Sequence, residues 1–157
     1  MSHPKKANTR SRRVIVATSD IAGFARAAQA KSDRKTFAML TEFYEIVGSI
    51  VEHGGGQVVK FMGDAALMIF PVARSTEAVR ALRSLREKTG DCLTRFSPDC
   101  QLRVKTHVGS VMCGVLGTAS EKRFDVIGKT VNELFKMPSG DFVLSTELKK
   151  LAKGENR

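Results

Sequence analysis

Tryptophan is absent from this chain, tyrosine occurs once as Tyr44, and aromatic residues total 6%. Proteins that bind single-stranded nucleic acid without sequence preference stack bases on such rings, so a nucleic-acid partner is not expected. Cysteine is scarce too. Cys92, Cys100 and Cys113 are odd in number and lack metal-ligand spacing, which argues against a secreted disulfide framework and a zinc site. They read as reduced thiols, Cys92 and Cys100 in or near loops and Cys113 packed. The longest apolar run, Ala65 to Ala73, falls far short of the roughly 20 residues that cross a bilayer. The basic N-terminus is not followed by the apolar segment of a secretory signal. These absences predict a soluble, cytoplasmic protein with no transmembrane segment. Internal repeats and low-complexity tracts are missing, and so are the phosphate-loop and dinucleotide glycine fingerprints.

What is present fits one globular domain: 157 residues at 42% hydrophobic content, with a formal charge of +10. Half of that charge comes from Lys5, Lys6, Arg10, Arg12 and Arg13. The reading is a basic, mobile arm over 1–13, a domain over 14–153 and a short tail over 154–157. Were the arm to bind a phosphate polymer, binding would not survive its removal.

Along the domain, Val14 to Ser19 is β-branched and short, a buried strand ending at Asp20. A glycine and a helix-like pattern follow. From Ser32 or Asp33 to His53 the apolar positions Phe37, Leu40, Phe43, Val47, Ile50 and Val51 recur at helical spacing, with a capping residue before and Gly54 after. Two short β-type runs over 57–70 flank the turn Met62-Gly63-Asp64-Ala65. A helix is expected from Ser75 to Thr89 and a polar loop from Gly90 to Asp99. Gln101 to Gly109 alternates cleanly and reads as a strand, Val111 to Gly117 as another. His107 falls on the polar side of the first with Arg103 and Lys105, a structural or solvent-facing position. Thr130 and Glu133 have capping-box spacing, which starts a helix near Val131. A short strand at Phe142–Ser145 and a helix at Thr146–Lys153 close the chain. Locally antiparallel strands mixed with helices favour an α/β (α+β) fold with a mainly antiparallel, ferredoxin-like sheet flanked by helices.

Two acids stand out. Asp64 lies in a turn between apolar strands, where Gly-Asp is also ordinary hairpin punctuation. Lys60, two pleats away from it, is expected on the same rim. Asp20 stands at a strand's C-terminal end, where it either caps the next helix or holds a cation.

Asp20-Ile-Ala-Gly-Phe24, then Gly54-Gly-Gly-Gln-Val-Val-Lys60-Phe-Met-Gly63-Asp64, then Phe124-Asp125-Val-Ile-Gly128-Lys-Thr-Val131-Asn132 together resemble the class III nucleotidyl cyclase catalytic domain. The resemblance runs from about Val14 to Lys153 in order and spacing. It implies the nucleotide cyclase fold working as a head-to-tail homodimer, and an adenylate cyclase that makes 3′,5′-cyclic AMP and pyrophosphate for intracellular signalling. Residue by residue it implies that Asp20 and Asp64, with Ile21 between them, hold two Mg²⁺ or Mn²⁺ ions. The backbone from Ile21 through Ala22, Gly23 and Phe24 receives the terminal phosphates. Lys60 and Asp125 select the purine and favour ATP, and Asn132 orients the ribose. Lys136 occupies the place of a transition-state arginine. The metal pair comes from one protomer, and Lys60, Asp125, Asn132 and Lys136 come from its partner. Departures are Lys136 itself, the bulk of Glu133, Leu134 and Phe135, the residues Thr18 and Ala25 beside the first motif, and the absence of a terminal hairpin with a phosphate-binding lysine. They support an alternative reading, a catalytically weak homology module that binds nucleotide or a partner chain.

Overall fold

A computed structural model of the chain describes residues 9–154. Strand β1 (Arg10–Ala22) runs antiparallel to β3 (Ala65–Pro71) on one side and to β4 (Gln101–Gly117) on the other. With β2 (Gln57–Met62) and β5 (Lys122–Ile127) at the edges, the sheet order is β2-β3-β1-β4-β5. The short β6 (Phe142–Leu144) lies parallel to the first half of β4, on the side where β5 pairs with the second half. The helices are α1 (Phe24–Gln29), α2 (Asp33–His53), α3 (Ser75–Phe96), α4 (Lys129–Lys136) and α5 (Thr146–Gly154).

Alternation along the central strands divides the interior. Ile15, Ala17 and Ile21 of β1 and Leu102, Val104 and Val108 of β4 face α2 and α3, where Phe43, Val47, Val51, Leu82, Leu85 and Leu93 complete the larger core. Val14 and Val16, with Leu67, Ile69, Val111, Cys113 and Val126, face the other way and are covered by Val131 and Leu134 of α4. The curved sheet brings its edges together, so that Lys60 of β2 reaches Asp125 of β5.

Helix α2 has the expected bounds. Ser32 accepts a hydrogen bond from Lys35 N, and the backbone N–H of Gly54 returns to Ile50 O. Five expectations are corrected. β1 begins at Arg10 and continues past Asp20, because its whole length pairs with β4; residues 1–8 of the basic arm lie outside the described residues. α3 does not stop at Thr89. Thr89, Cys92, Leu93 and Phe96 are all buried at helical spacing, and that packing outweighs the polar look of the segment. Cys92 therefore sits in a helix, its thiol pushed up to about 11 by burial and the nearby Glu42 carboxylate, whereas Cys100 lies in the loop before β4 as expected, and is buried there. The two expected strands between 101 and 117 are one, since Gly109 and Ser110 stay in register with Val14 and Arg13. Finally, no capping box forms. Gly128 precedes α4, Thr130 Oγ1 donates to Ser110 O at 2.7 Å, and Glu133 bonds His107.

Candidate active site

Asp20 stands on the α4 face of β1, directly opposite Arg103 of β4. The Arg103 guanidinium donates from Nε at 2.8 Å and Nη2 at 2.7 Å, both to Asp20 Oδ1. Asp20 caps no helix: β1 runs through it, and α1 is preceded by Gly23 with φ 79° and no side-chain cap. That left-handed backbone is one that a side chain would strain.

Asp64 arrives from the other end of the hairpin. The β2–β3 turn uses Gly63 at φ 63°, and the Tyr44 hydroxyl of α2 donates to Gly63 O. Tyr44 is itself stacked on Phe61, with ring centroids 3.8 Å apart. The turn directs Asp64 Oδ2 onto the backbone N–H of Ile21 at 3.0 Å. Asp64, 44 residues after Asp20 in sequence, is therefore bonded to the backbone N–H of the residue that follows Asp20. The Ile21 N–H is committed to Asp64, leaving the turn through Ala22, Gly23 and Phe24 as the neighbouring backbone.

Carboxylate oxygens are the donors that Mg²⁺ and Mn²⁺ prefer. Among the described residues no group of three or more His, Cys, Asp or Glu side chains forms a closed metal cage. Two acids beside a backbone turn fit an ion that takes its remaining ligands from water and substrate phosphates, as Mg²⁺ commonly does. The donor set fits the expected cofactor on that condition.

Lys60 and Asp125 form a second pair, Nζ to Oδ2 at 3.0 Å, with Asp125 Oδ1 accepting from Val126 N at 2.8 Å. The register of β2 against β3 shifts between Val58 and Lys60, and the lysine reaches across to β5. The pair lines an open groove of about 860 Å³ together with Tyr44, Phe61, Leu116 and Arg123. Asn132 and Lys136 are exposed on one face of α4, one turn apart. No hydrogen bond or ion pair among the described residues joins Asp20 or Asp64 to Lys60, Asp125, Asn132 or Lys136.

Arg103 is the site residue that the sequence did not single out. Alternation in β4 placed it on the polar face, but only the register of β1 against β4 reveals its partner. His107 on the same face is buried, and its Nε2 lies 2.9 Å from Glu133 Oε2; it is structural.

Comparison with known proteins identifies the family and the fold. The family model described as the adenylate and guanylate cyclase catalytic domain matches residues 7–143. An uncharacterized protein of Mycobacterium tuberculosis (strain ATCC 25618 / H37Rv) is 30% identical over 128 residues, covering 80% of this chain and 22% of that protein. The receptor-type guanylate cyclase gcy-13 of Caenorhabditis elegans is 28% identical over 134 residues, covering 80% of this chain and 13% of its own length. The chain thus spans less than a quarter of these relatives. Among solved structures, the adenylyl cyclase CyaB from P. aeruginosa superposes with a TM-score of 0.85 at 20% identity, covering 94% of this chain and 83% of that one.

Proposed function

The chain belongs to the adenylate and guanylate cyclase catalytic domain family, and on that premise we propose that it converts ATP to 3′,5′-cyclic AMP and pyrophosphate at sites shared between the two subunits of a homodimer. The observation that carries this reading is the hydrogen bond from the Ile21 N–H to Asp64 Oδ2, which brings the second acid to the peptide that follows Asp20. Cyclisation requires the ribose 3′-oxygen to attack the α-phosphorus in line while pyrophosphate leaves, so negative charge accumulates around the triphosphate. Asp20 and Asp64, with the Ile21 backbone, would hold two Mg²⁺ or Mn²⁺ ions, which supply a polarised nucleophile and neutralise phosphate charge. Arg103 keeps the Asp20 carboxylate oriented and adds a permanent cation beside it. Ala22, Gly23 and Phe24 form the turn that receives the terminal phosphates.

The choice of base rests on Lys60 and Asp125. Side by side, they offer one donor and one acceptor, which suits the N1 acceptor and amino donor of adenine. Guanine presents those two functions in reversed order. Asn132 orients the ribose, and Lys136, one turn along α4, supplies charge to the phosphate oxygens in the transition state. The homodimer is supported by the lack, among the described residues, of any hydrogen bond or ion pair between these groups and the acids, and by half-exposed apolar side chains at Met62, Met112, Ile127 and Phe135 that a second subunit would cover.

Incubating the chain with ATP or GTP and Mn²⁺ over a range of protein concentrations tests the reading. Cyclic AMP should exceed cyclic GMP, and specific activity should rise with concentration as subunits associate. Excess cyclic GMP would overturn the base assignment, and no cyclic product at any concentration would overturn the activity.

One observation favours a second reading, that of a nucleotide-binding module with little turnover. Lys136 offers a flexible point charge where a planar guanidinium makes a paired contact with phosphate. Replacing Lys136 with Arg separates the two. A rate increase of about tenfold or more identifies a slow enzyme; nucleotide bound by both forms, with product from neither, identifies the module.

A further inference from the structure

On the α4 face of β4, Arg103, Lys105 and His107 stand at alternate positions. Arg103 holds Asp20 and His107 holds Glu133. Lys105 is directed at backbone: its Nζ donates to Phe135 O and to Met137 O, each at 3.1 Å. These carbonyls belong to the C-terminal end of α4, where the helix pattern leaves acceptors unpaired and the dipole favours a cation. They also bracket Lys136. α4 has only eight residues, too few to be stable by its own hydrogen bonds, so it takes its position from β4. Three tethers fix it at successive heights: Thr130 to Ser110, Glu133 to His107, and the Phe135 and Met137 carbonyls to Lys105. Only the last acts on the backbone on both sides of Lys136.

We propose that Lys105 is a positioning residue for the cyclisation, clamping the end of α4 so that the Lys136 ammonium is delivered to one place. The inference rests on the role given to Lys136 above. A lysine ammonium on a four-carbon stem lacks the planar preorganisation of a guanidinium. Its placement therefore depends on how firmly the backbone beneath it is held. The bulk of Leu134, which is fully buried in the smaller core, anchors the same turn from its apolar side.

The test uses the full chain carrying Lys105→Met, which keeps the stem and removes the donors, and Lys105→Arg, which restores them. Two readouts are compared: cyclic AMP kinetics with Mn²⁺, and amide hydrogen exchange across residues 133–137. Lys105→Met should lower kcat about tenfold, leave KM for ATP within about twofold, and speed exchange at the end of α4 while β4 stays protected. Lys105→Arg should recover most of the rate. Adding Lys136→Ala should cost clearly less in the Lys105→Met background than in the parent, because the two act as one unit. Unchanged kcat, fully additive losses, or a change confined to KM would overturn the proposal. If Lys105→Met does not fold, Lys105→Gln takes its place and should show the same pattern at smaller amplitude; an unchanged pattern again overturns the clamp. If the parent chain makes no cyclic product, the functional reading fails separately. The exchange measurement then decides on its own: faster exchange at 134–137 supports the clamp, and unchanged exchange refutes it.

Discussion

Behind the sheet, α2, α3 and α5 seal a continuous apolar layer in which Phe43, Val47, Leu82, Leu85 and Leu148 have no exposed surface. In front of it, one eight-residue helix covers a smaller cluster. The polar row formed by Asp20, Arg103, Lys105 and His107 stands on that same front face. Phe135 of α4 is 48% exposed and Ile127 of β5 52% exposed. The back is finished within one chain, whereas the front carries half-exposed apolar side chains together with Asp20, Asn132 and Lys136 of the proposed chemistry. On the proposed function, the front is the face a second subunit would cover, so the two faces would divide the work of folding and of reacting.

The largest expected effect separates them through stability. Phe43→Ala removes a fully buried ring from the closed layer and should cost about 3–5 kcal/mol in urea denaturation. Leu134→Ala, equally buried but under the short helix, should cost about 2 kcal/mol, the low end for such truncations, because the open face relaxes more easily. Its loss of cyclase activity should nevertheless exceed that of Phe43→Ala measured on folded protein, since α4 carries Asn132 and Lys136. Equal stability losses would erase the distinction between the faces.

Next in size is a change that spares the fold and removes the chemistry. Asp64→Asn keeps an oxygen acceptor for the Ile21 N–H at 3.0 Å while deleting the charge. Cyclic nucleotide formation should fall roughly a hundredfold or more, the scale of losing a metal-held charge at the reacting phosphate. The denaturation midpoint should stay close to that of the parent. A parallel fall in stability would mean that Asp64 serves the turn rather than the reaction.

How far these features were legible in sequence follows the same division. Helix α2 and the β2–β3 hairpin were readable because apolar spacing, a serine cap and glycines at the turns all act locally. The motifs around Asp20, Asp64, Lys60 and Asp125 were readable as residue patterns. The resemblance also grouped Lys60 with Asp125, which the structure joins by an ion pair, whereas Arg103 as the partner of Asp20 was not legible, since only the register of β1 against β4 sets it. Local signals also misled where tertiary partners competed for the same atoms. Thr130 and Glu133 have capping-box spacing, yet Ser110 O and His107 take their side chains. Gly90 and Asp91 look like a loop, yet Cys92, Leu93 and Phe96 are drawn into the closed layer and carry α3 onward.

The smallest effect lies where the two regions touch. Tyr44 projects from α2, stacks on Phe61 and donates to Gly63 O, so the closed layer holds the turn that presents Asp64. Tyr44→Phe should lower stability by roughly 0.5–1 kcal/mol, the net value of one hydrogen bond. The pH dependence gives it a signature. Burial, and then the charge of Asp64, raise the Tyr44 pKa above its ordinary 10.0, so the folded state binds this proton more tightly than the unfolded chain does. The contribution is complete below the unfolded value and is lost as pH rises through the folded one. The parent chain should therefore lose stability more steeply than Tyr44→Phe across the alkaline range, with the two curves converging at its top. Parallel curves would show that the hydroxyl does not tie the acid turn to the helices.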